Sequence, residues 1–260
     1  MLVDSHCHLD FPELAADVDA VVARAEAAGV GAMVTISTRL SRFDGVRAIA
    51  ERFPNVFCSV GVHPHEAEAE SGTTTAALVA QTAHPKVVGI GETGLDFYYE
   101  HSPRAAQERL FRAHIAASRE TGLPVIVHSR DADAETAAIL ADEMGQGAFP
   151  GLIHCFSSGP ELLRAALDLG LYISLSGIVT FKNAEALRQT VRAVPLDRLL
   201  VEPDAPFLAP VPKRGKPNEP SFLAHTAAYL ADMLGVAPED LAARTTRNFF
   251  TLFRKFPEIS

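Results

Sequence analysis

Short apolar, β-branched runs recur along the chain, each followed by a polar loop and then by an amphipathic stretch rich in Ala, Leu and Arg. Apolar runs of this length between turn residues read as buried strands; stretches with apolar residues three or four apart read as helices. The strands so predicted are Leu2–His6, Ala32–Ile36, Val56–Val60, Val87–Glu92, Val125–His128, Leu152–His154, Leu171–Leu175 and Leu199–Glu202. The helices predicted between them are Asp17–Ala28, Pro103–Thr121, Asp131–Met144, Glu161–Leu169, Asn183–Val194 and Ser221–Leu234, with only a weak pattern after Gly72. Gly29 suits the left-handed residue beyond a helix end. Ser102 and Pro103 read as the N-cap and first residue of the second helix, which Gly122 stops. Leu110, Phe111 and Ile115 give that helix an apolar stripe.

Strands alternating with helices imply a parallel sheet. Continuous apolar runs, rather than alternation of apolar and polar residues, imply strands covered on both faces, and a count of eight favours closure. The fold expected is therefore α/β, a single (β/α)8 TIM-type barrel with room for slight distortion. No repeat or linker divides the chain, so one hydrolase domain over residues 1–260 is expected.

Composition changes little. The chain is 48% hydrophobic and 21% charged, as in an ordinary soluble enzyme. It has no apolar run long enough to span a bilayer and no secretion signal at MLVDSHCHLD, so a cytoplasmic protein without a membrane partner is expected. A net charge of −9 argues against a passive nucleic-acid coat. It does not exclude a nuclease, because bound divalent cations reverse the local sign. Cys7, Cys58 and Cys155 are too few and too scattered for a disulfide framework and read as reduced core thiols.

The informative residues are ionisable ones at the ends of apolar strands. His6 and His8 end the first, His63 follows the third and Glu92 ends the fourth. His128 ends the fifth, His154 the sixth, and Asp204 follows the eighth. In an α/β barrel these ends share one rim, which carries the active site. Residues two apart on a strand face the same way, so His6 and His8 can reach one cation while Cys7 points away. A buried carboxylate at position 92 needs a cation or a basic partner. Glu202 is the rival of Asp204 for the second carboxylate role, but sits within the predicted strand. Imidazoles and carboxylates without thiolate suit Zn²⁺, Mn²⁺ or Fe²⁺. Four His and two carboxylates exceed the needs of one catalytic ion, whereas two ions bridged by one carboxylate would use all six. Two-metal sites suit phosphate-ester cleavage.

At these residues the chain resembles the TatD family of metal-dependent DNases, in the amidohydrolase-like superfamily. The likeness covers essentially the whole chain, through DSHCHLD from Asp4, GVHPH from Gly61, VGIGETGLDFYY from Val88, LPVIVHSRDA from Leu123 and GLIHCFSS from Gly151. It continues through SGIVTFKNA from Ser176, LLVEPDAPFL from Leu199, RGKPNEP from Arg214 and NFFTLF from Asn248. The resemblance implies two divalent ions, Mg²⁺, Mn²⁺ or Zn²⁺, one held by His6, His8, Glu92 and Asp204 and the other by Glu92, His128 and His154. It also implies DNA as substrate and exonuclease activity, with Asp204 and Glu92 as catalytic carboxylates. One departure is Pro203, where the family pattern usually has Thr. Phosphate contacts are expected from His63, Arg130, Lys182, Lys213, Arg214 and Lys216, and base stacking from Phe97, Tyr98 or Tyr99. The oligomeric state is left open, a monomer being compatible with the sequence. Two other readings stand beside the nuclease: a hydrolase of small amides, lactones or phosphotriesters, and a non-catalytic partner protein that keeps the fold.

Overall fold

In the computed structural model, which describes residues 1–257, eight parallel strands form one sheet in which each is bonded to the next in sequence. They are β1 (Leu2–Cys7), β2 (Val30–Thr35), β3 (Val56–Val60), β4 (Val87–Asp96), β5 (Val125–Arg130), β6 (Gly151–Ile153), β7 (Tyr172–Leu175) and β8 (Leu199–Val201). The helices are α1 (Pro12–Ala15), α2 (Val18–Ala27), α3 (Phe43–Arg52), α4 (Thr75–Gln81), α5 (Arg104–Thr121), α6 (Asp133–Gln146), α7 (Pro160–Asp168), α8 (Glu185–Val191), α9 (Leu223–Leu234) and α10 (Pro238–Leu252). The ends of the sheet meet just beyond β8. The Asp204 amide donates to the His6 carbonyl at 3.1 Å, and the His8 amide donates to the Ala205 carbonyl at 2.8 Å. The expected TIM-type barrel is thus nearly closed, with its seam beside the predicted rim residues. None of the described helices is long and apolar enough to cross a membrane.

The strand sequences explain why the barrel is solid below and polar above. Val125, Val127, Ile153, Ile173, Leu175, Leu199 and Val201 belong to the apolar layer shared with the helices. Their neighbours Ile126, Leu152, Tyr172 and Leu200 point the other way, into a second apolar cluster with Val3, Val34 and Val88. Phe249, Phe253 and Phe256 pack into this inner cluster and close the base. Above it lies a hydroxyl layer. The Ser5 and Ser174 oxygens are 3.0 Å apart, and Ser37 donates to the Gly61 carbonyl at 3.1 Å. The next inward positions along β5 and the end of β6 are His128 and His154, so strand alternation that builds the core also aims these imidazoles inward. On β1 the register is irregular between Asp4 and Cys7, and His6 turns toward the same cluster directly after Ser5. Gly61 and Gly91 let β3 and β4 approach beneath Glu92, since a methyl group on Gly61 would collide with the Gly91 backbone.

Several element boundaries differ from expectation for local reasons. Three helices, the single turn α1 and the longer α3 and α10, were not among those predicted. In α3 only Phe43, Val46 and Ala50 are buried, and Gly45 lies in its first turn, which makes its apolar stripe thin and its start weak. The weak pattern after Gly72 is the short helix α4, whose buried residue is Leu78 alone. Pro103, not Ser102, is the N-cap of α5. The Ser102 hydroxyl instead donates to the His65 carbonyl and accepts the Glu68 amide, tying the loop after β3 to α5. Asp131 has a left-handed backbone (φ 51°), so α6 begins at Asp133 rather than at Asp131. Strand β8 ends at Val201, which leaves Glu202 just outside it.

Candidate metal centre

The six predicted ligands converge at the barrel mouth, although they come from five separate stretches of chain. Glu92 stands in the middle, and its two carboxylate oxygens face different neighbours. Oε2 lies 3.3 Å from His6 Nε2 and 3.9 Å from His8 Nε2. Oε1 lies 2.7 Å from His154 Nε2 and 3.1 Å from His128 Nδ1. Asp204 Oδ1 is 3.7 Å from both His6 Nε2 and His8 Nε2, which puts it in the first of these halves. Asp204 holds a left-handed backbone (φ 55°) just after the barrel seam, a conformation that Asp tolerates better than most residues.

The imidazole nitrogens point at one another. His6 Nε2 and His8 Nε2 are 3.3 Å apart, as are His128 Nδ1 and His154 Nε2. Lone pairs and carboxylates gathered this closely in a buried site are the donor set of a cation, and these residues fit one. His6, His8 and Glu92 form one group whose ligand atoms lie within 4.8 Å of one another. Burial alone would push the Glu92 carboxyl up, yet the imidazoles of His154, His63 and His6 outweigh it and hold the group well below the ordinary carboxylate range. Burial likewise opposes ionisation of Asp204, but the His8 hydrogen bond and the His6 and His154 rings bring its carboxyl down. Both carboxylates are therefore negative at neutral pH.

Outer partners fix two of the rings. His128 Nε2 is 3.2 Å from Asp96 Oδ2, leaving Nδ1 to face the cluster. His154 Nδ1 is 3.1 Å from Glu202 Oε1, leaving Nε2 to face it. Such carboxylate partners settle which nitrogen keeps its proton. Glu202, the rival of Asp204, is fully buried and accepts the Cys155 amide at 2.7 Å, and with His6 and His154 it forms another group whose ligand atoms lie within 4.8 Å of one another. His63 is also near, with Nε2 3.4 Å from Glu92 Oε1. Its Nδ1 accepts the His65 amide at 3.1 Å, so the neutral ring carries its proton on Nε2. That nitrogen is a donor, not a free lone pair. Burial holds His63 well below the usual imidazole range and keeps it neutral.

Sequence reasoning missed Asp96 and His65, whose side chains meet at 2.9 Å. Asp96 was detectable, because it is a second carboxylate in the same apolar segment as Glu92 and on the same side of the strand. His65, on a short loop, carried no such signal. Cys155 is not a core residue as expected. Its left-handed backbone (φ 43°) turns it into the cavity wall, with Sγ 3.1 Å from Ser176 Oγ. Burial pushes its thiol well up, so it is no nucleophile.

The cluster floors a cavity of about 700 Å³ whose wall includes His63, Arg130, Asp204 and Arg214. Of the other basic residues expected to face substrate, Lys182 and Lys216 are exposed. The Lys213 ammonium lies 5.0 Å from the centre of the Phe222 ring. None of the three lysines is part of the cavity wall.

Residues 3–254 match the family model of TatD related DNase. The chain is 47% identical over 255 residues to the protein of Escherichia coli described as uncharacterized metal-dependent hydrolase YcfH, covering 97% of this chain and 95% of that one. It is 38% identical over 258 residues to a protein of Enterobacter lignolyticus named 3'-5' ssDNA/RNA exonuclease TatD, covering 97% and 98% of the two. Among solved structures, the TatD homologue YJJV of Escherichia coli superposes with a TM-score of 0.90 at 30% identity, covering 97% of this chain and 98% of that chain.

Proposed function

Because the chain belongs to the TatD family of metal-dependent hydrolases, we propose that it is a deoxyribonuclease that cleaves DNA phosphodiesters with two divalent ions held on either side of Glu92. His6, His8, Asp204 and one Glu92 oxygen would hold the first; His128, His154 and the other oxygen would hold the second. Mg²⁺, Mn²⁺ and Zn²⁺ all suit this mixture of imidazole and carboxylate. The observation that carries the reading is the division of the Glu92 oxygens, Oε2 toward His6 and His8 and Oε1 toward His128 and His154.

When bound, the ions would make water more acidic and draw negative charge off the phosphate. The protein does the rest. Asp204, ionised and opposite His6 and His8, accepts the proton of the attacking water. His63 donates through Nε2–H to a phosphoryl oxygen or to the leaving oxygen. Asp96 and Glu202 hold the His128 and His154 rings so that no rotamer search precedes binding. Arg130 and Arg214 in the cavity wall offer guanidinium groups to neighbouring phosphates, and Lys182, Lys213 and Lys216 add positive charge outside it. Such local positive charge lets a chain of net charge −9 meet a polyanion. The exonuclease named among its relatives supports a nucleic-acid substrate.

Metal-loaded protein incubated with end-labelled single- and double-stranded DNA tests the reading. Progressive shortening of a labelled strand, abolished by a chelator and restored by adding back divalent metal, is expected. Intact DNA alongside rapid hydrolysis of a lactone or a small phosphotriester would move the function to the small-molecule class.

A further inference from the structure

Among the described residues, the exposed large aromatic side chains are Tyr98, Tyr99 and Phe207, at 57%, 49% and 49%. Single exposed apolar residues need no explanation, but three gathered at one cavity do. Tyr99 and Phe207 are both in the wall of the cavity above the Glu92 cluster, and Tyr98 adjoins Tyr99 with ring centres 4.8 Å apart.

The three form two lips. On one, the Arg130 guanidinium lies 4.1 Å from the Tyr98 ring centre and 4.8 Å from that of Tyr99. Tyr99 is 5.5 Å from the His65 ring, and His65 shares Asp96 with His128, so this lip borders the His128 half of the cluster. On the other, Phe207 meets Phe11 edge to face at 5.8 Å, and Phe11 stacks on His8 at 4.6 Å. This lip borders the His8 half. Arg214, also in the cavity wall, covers Phe181 at 3.8 Å. Each half of the cluster therefore has beside it an exposed aromatic face, and the cavity wall holds two guanidinium groups.

The chemistry that matches is a chain carrying both planar aromatic groups and negative charges. Arginine pairs with phosphate oxygens, and every nucleobase has a π-face that stacks on Tyr or Phe whatever its identity. A lactone or a simple phosphotriester would leave at least one lip unused. In a duplex the base faces are covered by neighbouring bases, so they could reach neither lip.

Resting on the nuclease reading above, we propose that the two lips are base subsites. The bases flanking the cleaved phosphodiester stack on Tyr99 beside Arg130 and on Phe207, so a strand is held through its bases at these two side chains as well as through its phosphates.

The test compares two single strands of equal length and charge, an oligothymidylate and an abasic strand, both with phosphorothioate linkages to slow cleavage. Their binding to the Mn²⁺-loaded protein is followed by fluorescence anisotropy. Wild type should prefer the base-bearing strand by about tenfold or more, the scale of a base–aromatic stack. Tyr99→Ala and Phe207→Ala should each lower this preference, the double variant should abolish it, and Tyr99→Trp with Phe207→Trp should retain it. Retention in the Trp pair separates a lost stacking face from a damaged fold. A wild-type preference near one, or a preference unchanged in the double Ala variant, overturns the proposal. If unmodified abasic and ordinary strands are cleaved equally well, the lips fall while the nuclease reading stands. If wild type neither binds nor cleaves either strand, both fall together.

Discussion

Glu92 offers an oxygen to each half of the imidazole cluster, at 3.3 Å from His6 Nε2 on one side and 2.7 Å from His154 Nε2 on the other. In the two-ion proposal each of these oxygens would serve one ion. Glu92→Ala should therefore lower metal content in both halves and abolish hydrolysis, with the circular dichroism of the barrel unchanged. Two tightly retained ions by elemental analysis, with normal turnover, would contradict the bridging role. Asp96 acts one step out. It accepts from His128 and His65, and backbone amides of Tyr98 and Tyr99 also donate to it. Despite the opposing effect of burial, the hydrogen bonds from His128 and His65 keep its carboxyl below the ordinary range. Asp96→Asn should weaken metal binding by ~10–100-fold, the usual scale for losing an outer partner of a metal-ligating His. Calorimetric titration with Mn²⁺ checks this, and an unchanged affinity would make Asp96 a loop support only. The residues of the cluster were legible because each interrupts an apolar run at a strand end. Glu202 interrupts one too, and it also stands within ligand distance of imidazoles, those of His6 and His154.

At the scale of elements, the strands were far easier to read than their partners. Eight apolar runs are distinctive, but α3 buries only three residues and α10 mixes a polar PEDLAARTTRN segment with its core-facing Leu241, Phe249 and Leu252. The loop after β3 was the least legible part, since it is held from outside. His114 on α5 accepts the Val62 amide at its Nε2 (3.0 Å) and faces the Leu110 carbonyl through Nδ1 (2.7 Å). It thereby fixes the residue before His63. Full burial lowers the His114 imidazole from 6.5 to about 4 despite that carbonyl. The unfolded chain takes up this proton more readily than the folded one. The stability that neutral His114 supports is thus fully present above pH 6.5 and is lost as pH falls toward 4, by on the order of 3 kcal/mol. Denaturant unfolding across this range should show a shallower acid slope in His114→Gln than in wild type. Equal slopes would mean that His114 protonates without cost to the fold.

Across the whole molecule, stability and chemistry occupy opposite ends of the barrel. The base is closed by Phe249, Phe253 and Phe256, and the mouth carries the buried imidazoles, the carboxylates and the two arginines. That division lets reactive groups crowd together at one end while apolar packing at the other pays for it. The overall fold was visible in the sequence because strand count and strand-end polarity point to the same barrel. The aromatic lips were only partly visible: Tyr98 and Tyr99 stood out, whereas Phe207 reaches the mouth through the turn after Asp204. The central claim is that two ions, divided by Glu92, are needed together for hydrolysis. Its most direct test is a stoichiometric titration of chelator-stripped protein with Mn²⁺, following bound metal and cleavage of a labelled DNA strand in the same samples. Two equivalents bound, with cleavage rising chiefly as the second half fills, is the result predicted. Full cleavage at one equivalent, or in stripped protein, would contradict it.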